Sequence, residues 1–189
     1  MGRPKAFDEQ AAVGEAMELF WERGYRATTP AELGEALGIG RGSLYNTFGS
    51  KHALYRRALE KYVADQREQF MEAFGTDGST GERIRRALSA ILDGSPQPRG
   101  CMVTTAAIEA PPDDEETTAF ARAVLNEQRT LLRAAIEDGR RLGDLPTGPD
   151  TPDAGEAADA IIALMNGVRV MQRVGAAPPS LVDMAMRLL

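Results

Sequence analysis

The chain has 189 residues, of which 43% are hydrophobic and 26% charged, so it is long enough to bury a core without a disulfide or a structural metal. Its apolar runs fall far short of the ~20 residues that span a bilayer, and its single cysteine, Cys101, excludes an intrachain disulfide and a multi-cysteine zinc site. A net charge of −6 excludes a protein that coats nucleic acid over its whole surface, so any DNA contact has to come from a local patch.

The N-terminal sequence MGRPKAFDEQ is basic, but the apolar stretch of a secretory signal does not follow it. We therefore expect a cytoplasmic protein with no membrane segment. We also expect no metal and no cofactor. The acidic residues are in excess mainly after residue 74. Basic residues of the first part lie near the chain start or near the third predicted helix, namely Arg3, Lys5, Arg41 and Lys51.

Two helices are predicted in the first forty residues. From Asp8 to Arg23 apolar residues recur at helical spacing, with Asp8 as a plausible N-cap and Gly24 as a stop. In the following Thr29-Pro30-Ala31-Glu32, the threonine can cap a second helix, the proline occupies the tolerated first position, and the glutamate can complete a capping box. This second helix ends at Gly38, because glycine adopts the left-handed conformation at little cost.

A short third helix is predicted from Arg41 to Thr47, with Leu44 turned inward and an outer side that is polar and basic. Ser50 can cap a fourth helix that continues to about Phe74 and is long enough to join two domains. After a loop at 75–81, the pattern predicts further helices and no alternating strands, which indicates an all-α fold. These helices are expected at 82–93, 101–110, 114–142, 154–174 and 180–189.

The two short helices joined at Gly38 form a predicted helix-turn-helix, whose second helix can enter the major groove of DNA. Residues 16–54, AMELFWERGYRATTPAELGEALGIGRGSLYNTFGSKHAL, resemble the TetR family of repressors in the order of their alanine, leucine-phenylalanine, glycine-tyrosine, paired threonines, glycine turn and G-x-L-Y-x-x-F-x-x-K. The resemblance implies a three-helix DNA-binding domain over residues 1–52 and an all-helical domain over 53–189 that binds an effector and forms a dimer.

The resemblance also assigns DNA contacts by position. A guanidinium can donate two hydrogen bonds to guanine O6 and N7, so Arg41 is the first candidate for base reading. The predicted base contacts are Arg41, Ser43 and Asn46; the predicted phosphate contacts are Thr28, Thr29, Tyr45, Thr47 and Lys51; and the predicted minor-groove arm carries Arg3 and Lys5. The alternative for each residue is plain solvation. The lone His52 has no histidine or cysteine nearby at metal-ligand spacing, so a phosphate contact is favoured over a metal site.

Two departures from the family pattern bear on this region. Gly40 stands where the family usually has a serine or threonine that caps the recognition helix, which should loosen the helix by ~0.5 kcal/mol or less. Asn46-Thr47 replaces a common histidine or tyrosine pair, so the operator sequences of relatives should not be transferred. Apolar residues at helical spacing, such as Phe20, Leu33, Leu44 and Phe48, are expected in the core.

The C-terminal part is large enough to enclose a small-molecule effector between helices. On the resemblance, the pocket would be lined by Leu88, Ile91, Met102, Thr105, Ile108, Phe120, Val124, Gln128 and Leu131, although each can equally be plain core. The helix after Ala154 is apolar over too much of its circumference for a monomer surface. It predicts a homodimer interface through Ile161, Met165, Val168, Leu181 and Met184, with burial inside one chain as the alternative.

Cys101 follows Arg99-Gly100 at a predicted helix N-terminus, where a thiolate could sense oxidants or electrophiles, but inert burial is the expected state of an isolated cysteine.

An enzyme is the main class of protein that competes with a DNA-binding regulator. The single histidine and single cysteine, and the absence of a phosphate-binding glycine loop, G-x-S-x-G or H-E-x-x-H, argue against it. A helical ligand-binding or scaffold protein is the other competing class, but such a protein would not need the polar and basic helix at residues 41–45. The sequence therefore predicts a transcriptional regulator, and on the resemblance a ligand-responsive repressor, that binds a palindromic operator as a dimer and is released by a small molecule. The operator and the effector stay open, as does activation in place of repression.

Overall fold

The computed structural model describes residues 8–93, 99–111, 113–176 and 181–189. Within these ranges all regular structure is helical, which confirms the all-α prediction. The helices are α1 (Glu9–Arg23), α2 (Pro30–Ala36), α3 (Arg41–Phe48), α4 (Lys51–Phe74), α5 (Thr80–Asp93), α6 (Met102–Glu109), α7 (Glu115–Leu142), α8 (Ala154–Arg173) and α9 (Leu181–Met186). In the described ranges, no helix is long and apolar enough to cross a membrane.

Side-chain caps fix several helix starts where the sequence places them. Asp8 accepts hydrogen bonds from the backbone N–H groups of Gln10 and Ala11, at 2.8 and 3.3 Å, and so begins α1. The capping box predicted at Thr29 is present at the start of α2. A second capping box, formed by Asp153 and Glu156, begins α8. Hydrogen bonds between residues close in sequence thus define where these helices begin.

Two compact units make up the chain. Unit 1 comprises Met1–Ala64 and Met102–Thr118, and unit 2 comprises Asp65–Cys101 and Ala119–Leu189. The first half of α4 therefore belongs to unit 1 and the second half to unit 2, and α6 belongs to unit 1.

The core of unit 1 is built from the inward faces of the first four helices. Phe20, Leu33, Leu44 and Phe48 are 6% exposed or less, which confirms them as core residues. Aromatic side chains extend this core: the Phe20 ring meets the Tyr55 ring edge-on with centroids 4.9 Å apart, and Trp21 meets Tyr62 in the same manner at 5.0 Å. Leu44 and Phe48 anchor α3 in this core.

The core of unit 2 is formed by α5, α7, α8 and α9. Its buried residues are Ile84, Leu88, Leu132, Ile136, Leu145, Ala154, Ala157, Ala158, Ile161, Ala185 and Leu189. A smaller cluster at the other end of α8 contains Leu92 and Val168, with the partly buried Leu164 and Val182 packed against it. The small residues on the buried face of α8 allow its neighbours to approach closely.

Candidate nucleic-acid interface

Helix α3 presents a polar surface from a fixed position. Leu44 is fully buried and Phe48 is 6% exposed, so one face of the helix is held in the core of unit 1. The predicted base-reading residues Arg41, Ser43 and Asn46 are all exposed. Three donors and acceptors of this kind on one short, anchored helix match what reading base edges in a major groove requires.

The start of α3 lacks a side-chain cap, as the sequence suggests. Its N-cap residue, Gly40, has extended backbone angles (φ −67°, ψ 153°), and no side chain bonds the first N–H groups of the helix. These free N–H groups are therefore available to an acceptor from outside. The Arg41 guanidinium lies 5.6 Å from the centroid of the Tyr45 ring, which directs it along the outer face of the helix.

The two threonines before α2 have different roles. Thr28 is fully buried, and its hydroxyl donates to the Gly24 carbonyl at 2.7 Å. Its contact with a phosphate stays a prediction. The exposed Thr29 accepts from the Glu32 N–H at 3.2 Å, while Glu32 accepts from the Thr29 N–H at 2.7 Å. The hydrogen bond from the Thr29 backbone holds the pKa of Glu32 below its usual value. The carboxylate thus stays charged and keeps the start of α2 rigid.

A second basic side chain, that of Lys51, lies against the ring of Tyr25 just after α3 in the chain. Ser50 accepts from the Ala53 N–H at 2.9 Å and starts α4, of which Lys51 is the first residue. The ammonium group of Lys51 lies 4.2 Å from the centroid of the Tyr25 ring, and burial lowers its pKa. A partly shielded cation at a helix N-terminus is suited to a phosphate. The neighbouring Tyr45 and Thr47 are half-buried.

Helix α6 contributes an unpredicted support to this surface. The carboxylate of its last residue, Glu109, accepts hydrogen bonds from the N–H groups of Tyr25 and Arg26 at 2.7 and 3.4 Å. The Arg26 side chain in turn donates to the Glu109 backbone carbonyl at 3.1 Å. At Gly24 a Cβ would overlap the same carboxylate, and φ is +84°. No local pattern could indicate this contact, because 84 residues separate its two sides.

A further cluster joins α4 to the start of α7 within unit 1. Glu116 forms an ion pair with Arg56 and lies 3.6 Å from His52 Nε2. Asp114 accepts from the Thr117 N–H at 2.9 Å, and this bond holds the pKa of the Asp114 carboxyl below its usual value. His52 therefore faces carboxylates of its own chain. The described residues contain no group of three histidine, cysteine, aspartate or glutamate side chains that could hold a metal ion.

The remaining predicted site residues divide as follows. Arg3 and Lys5 lie outside the described residues. Of the predicted pocket residues, Met102, Thr105 and Ile108 belong to unit 1, where Ile108 is 74% exposed. The others belong to unit 2. Leu88 and Val124 are buried, Ile91 and Phe120 are half-buried, and Gln128 and Leu131 are exposed. Their roles in a pocket stay predictions.

The predicted dimer residues also have mixed surroundings. Ile161 and Val168 are buried in the chain's own core, because they pack against α5 and α9 residues of unit 2. Met165 is half-buried and Met184 is 42% exposed. Leu181 is the first residue of α9, and its side chain lies outside the described part. The exposed large apolar residues at the end of α8 are instead Val170, Met171 and Val174. Cys101 is buried, as expected.

Comparison with known proteins places this geometry in a family. Residues 13–58 match the model of bacterial regulatory proteins of the tetR family, and residues 80–188 match that of the tetracyclin repressor-like C-terminal domain. The chain is 30% identical to the HTH-type transcriptional repressor ComR of Escherichia coli K12, over 97% of this chain and 88% of ComR. It is 34% identical to the uncharacterized regulator YezE of Bacillus subtilis 168, over 80% of this chain and 79% of YezE.

A solved structure of similar fold contains DNA. A cysteine mutant of the TetR family transcriptional regulator CifR, complexed with a 26-bp double-strand operator, has a TM-score of 0.83 and 31% sequence identity, and covers 98% of both chains. Reduced NemR of E. coli shares the fold, with a TM-score of 0.79 at 20% identity, over 94% of this chain and 92% of NemR. With both domains matched and the helix-turn-helix anchored as described, the chain belongs to the TetR family of DNA-binding transcriptional regulators, not to the enzymes.

Proposed function

We propose that the chain represses transcription as a homodimer that binds a palindromic operator and is released by a small molecule. The observation that carries the proposal is the exposure of Arg41, Ser43 and Asn46 on α3, whose opposite face is locked into the core. The names of similar proteins support repression, since ComR is a repressor, and CifR was solved with operator DNA. In this proposal residues 1–52 bind DNA in the cytoplasm, and residues 53–189 bind the effector and dimerise.

Dimerisation is supported by apolar surface at the end of α8. Val170 is 55% exposed and Val174 is 72% exposed, and the two are four residues apart, so they lie on the same side of the helix. Met171 and Met184 are 40% and 42% exposed. Since large apolar side chains are costly to leave in water, we propose that the interface includes these residues together with Met165.

Two linked DNA-binding heads account for control by a ligand. A dimer reads two half-sites when its recognition helices are spaced by about one helical turn of DNA, ~34 Å. An effector that binds better to a differently spaced dimer lowers operator affinity by shifting the population. A ligand with equal affinity for both forms would change nothing, so the proposal requires differential binding.

Selection of bound duplexes from a random DNA library tests the proposal. We expect enrichment of a palindrome, and binding that weakens steeply with salt because several phosphates are contacted. Arg41→Ala should weaken binding to the selected duplex by about 1–3 kcal/mol for each head and relax specificity at one base pair. The matched control is Arg141→Ala on α7, an exposed arginine paired only with Asp138 in the described ranges. Lack of enrichment at low salt, or equal binding by both variants, would contradict the proposal.

A further inference from the structure

The turn between α1 and α2 is held by a carboxylate from a distant part of the sequence. Glu109, the last residue of α6, accepts hydrogen bonds from the N–H groups of Tyr25 and Arg26 at 2.7 and 3.4 Å. The carboxylate lies directly against Gly24, where a Cβ would overlap it. Because hydrogen bonds to a charged acceptor are stronger than those between neutral groups, this contact fixes the backbone of Tyr25. All four residues belong to unit 1.

The side chain of Tyr25 supports the ammonium group of Lys51. Lys51 Nζ lies 4.2 Å from the centroid of the Tyr25 ring. The same ring packs against the rings of Tyr55 and Phe20, with centroids 4.7 and 6.2 Å away. A lysine side chain has a flexible four-carbon stem, so a ring that is fixed in the core favours one position of its ammonium group among many. Glu109 thus acts on Lys51 through the backbone and the ring of Tyr25.

Lys51 stays available to an anion from outside although carboxylates are close. Burial lowers the pKa of Lys51, and the charges of Glu109 and Glu32 oppose this shift, so both carboxylates act on the ammonium group. Among the residues that the structure describes, however, no carboxylate lies within ion-pair distance of Lys51. Glu109 is bound to the backbone of the turn, and Glu32 is bound to that of Thr29. The two acids therefore favour the charged form of Lys51 without pairing with it.

We propose that Glu109 is a positioning residue for DNA binding, which holds Lys51 toward an operator phosphate by fixing Tyr25. This inference rests on the proposed function, because it takes Lys51 to contact a phosphate of the operator. A carboxylate close to a DNA-binding surface ordinarily repels phosphates, so its removal ordinarily strengthens binding. The positioning role predicts the opposite sign: loss of the Glu109 carboxylate weakens binding.

Titration of the selected duplex with the full-length Glu109→Ala variant, at several salt concentrations, measures this sign. We expect Kd to rise about tenfold and the slope of log K against log salt to fall by about 1 per head, because the contact of Lys51 is lost although Lys51 is present. The control Glu137→Ala, an exposed glutamate of α7 that pairs with Arg133, should change neither quantity. Unchanged or tighter binding by Glu109→Ala would overturn the inference.

A double-mutant cycle with Lys51→Ala distinguishes positioning from a general loosening of unit 1. The double variant should bind within about twofold of Lys51→Ala, because it has no ammonium group left to position. If Glu109→Ala costs as much affinity without Lys51 as with it, the positioning role is wrong. A Lys51→Ala variant that binds like wild type would overturn the phosphate contact and this inference with it, whereas failure to select any duplex would overturn the proposed function itself.

Two conservative variants keep the test decisive if Glu109→Ala does not fold. Glu109→Gln keeps an acceptor oxygen at the same reach and removes the charge, whereas Glu109→Asp keeps the charge and withdraws the oxygens by one methylene. We expect Glu109→Gln to bind the duplex within about threefold of wild type and Glu109→Asp to bind about tenfold more weakly. Circular dichroism establishes that each variant is folded at the temperature of the titration. The reverse order of affinities would show that the charge of Glu109 matters and its position does not.

Discussion

At the start of α4, Lys51 combines a positive charge with a partly shielded position over the Tyr25 ring. Burial lowers its pKa, and the nearby Glu109 and Glu32 carboxylates oppose that shift. A phosphate that takes the exposed side of the ammonium would restore the charged form, which links DNA binding to protonation. The same residue would therefore contribute both to affinity and to its dependence on pH.

We expect Lys51→Ala to weaken operator binding similarly for all sequences and to reduce the slope of log K against log salt by about 1 per head, because one phosphate contact is lost. As the pH rises toward the lowered pKa of Lys51, wild type should lose its advantage over the variant. Binding titrations from pH 7 to 10 at several salt concentrations measure both effects. A constant affinity ratio over this range, or an unchanged salt slope, would show that Lys51 does not contact phosphate.

At the scale of single elements, α3 is short and has no side-chain cap. Gly40 has extended backbone angles, and a Cβ there would meet no atom within 4 Å. Gly40→Ser should therefore supply a cap without strain and raise the free energy of unfolding by a few tenths of a kcal/mol, roughly 0.3. Hydrogen exchange of the α3 amides gives the more sensitive measurement. Faster exchange in Gly40→Ser than in wild type would contradict a simple capping effect.

Helix α6 stabilises the turn before α2 through Glu109. Removing the acceptor of the Tyr25 N–H in Glu109→Ala should lower the free energy of unfolding by about 1–2 kcal/mol. Glu109→Gln keeps a side-chain oxygen and should recover part of this loss. A matched control is Glu137→Ala, because Glu137 is exposed and pairs with Arg133 one turn away. Urea unfolding of the variants measures the difference, and an equal loss in the control would rule out a special role for Glu109.

These elements also show what sequence reasoning can reach. The start of α2 is encoded by four consecutive residues, 29–32, so its capping box is predictable and is present. Inward and outward faces of α3 follow from helical spacing, which confirms Leu44 and Phe48 as core. The contact of Glu109 with Tyr25 and the burial of Arg169 depend on the packing of distant helices, and no local pattern predicts them.

For the whole molecule, assembly decides how tightly an operator is held. In the proposed dimer, two heads would bind as a linked pair, which would strengthen binding by about 10²–10⁴ over a single head. The valines at the end of α8 are 55% and 72% exposed, so we expect that they can be changed with little loss of the monomer fold. Dimerisation is therefore open to a clean test by surface substitution.

Val170→Asp and Val174→Asp should shift the protein from dimer to monomer, because a charge is costly in an apolar interface. We expect operator affinity to fall by about 100-fold or more, with Tm changed only by loss of the partner. Sedimentation velocity and operator titration measure the two effects together. Leu142→Asp serves as control, since Leu142 is 64% exposed at the end of α7. A stable dimer in both valine variants would move the interface elsewhere.

The edge-on contact of Trp21 with Tyr62 gives the protein an internal reporter. Trp21 is the only tryptophan of the sequence and lies in α1, so its emission arises from unit 1 alone. Fluorescence spectra on heating or in urea would follow the loosening of the DNA-binding unit, while far-ultraviolet circular dichroism would follow helices of the entire chain. Comparing the two signals, with and without a bound effector, would show how far the two units unfold together.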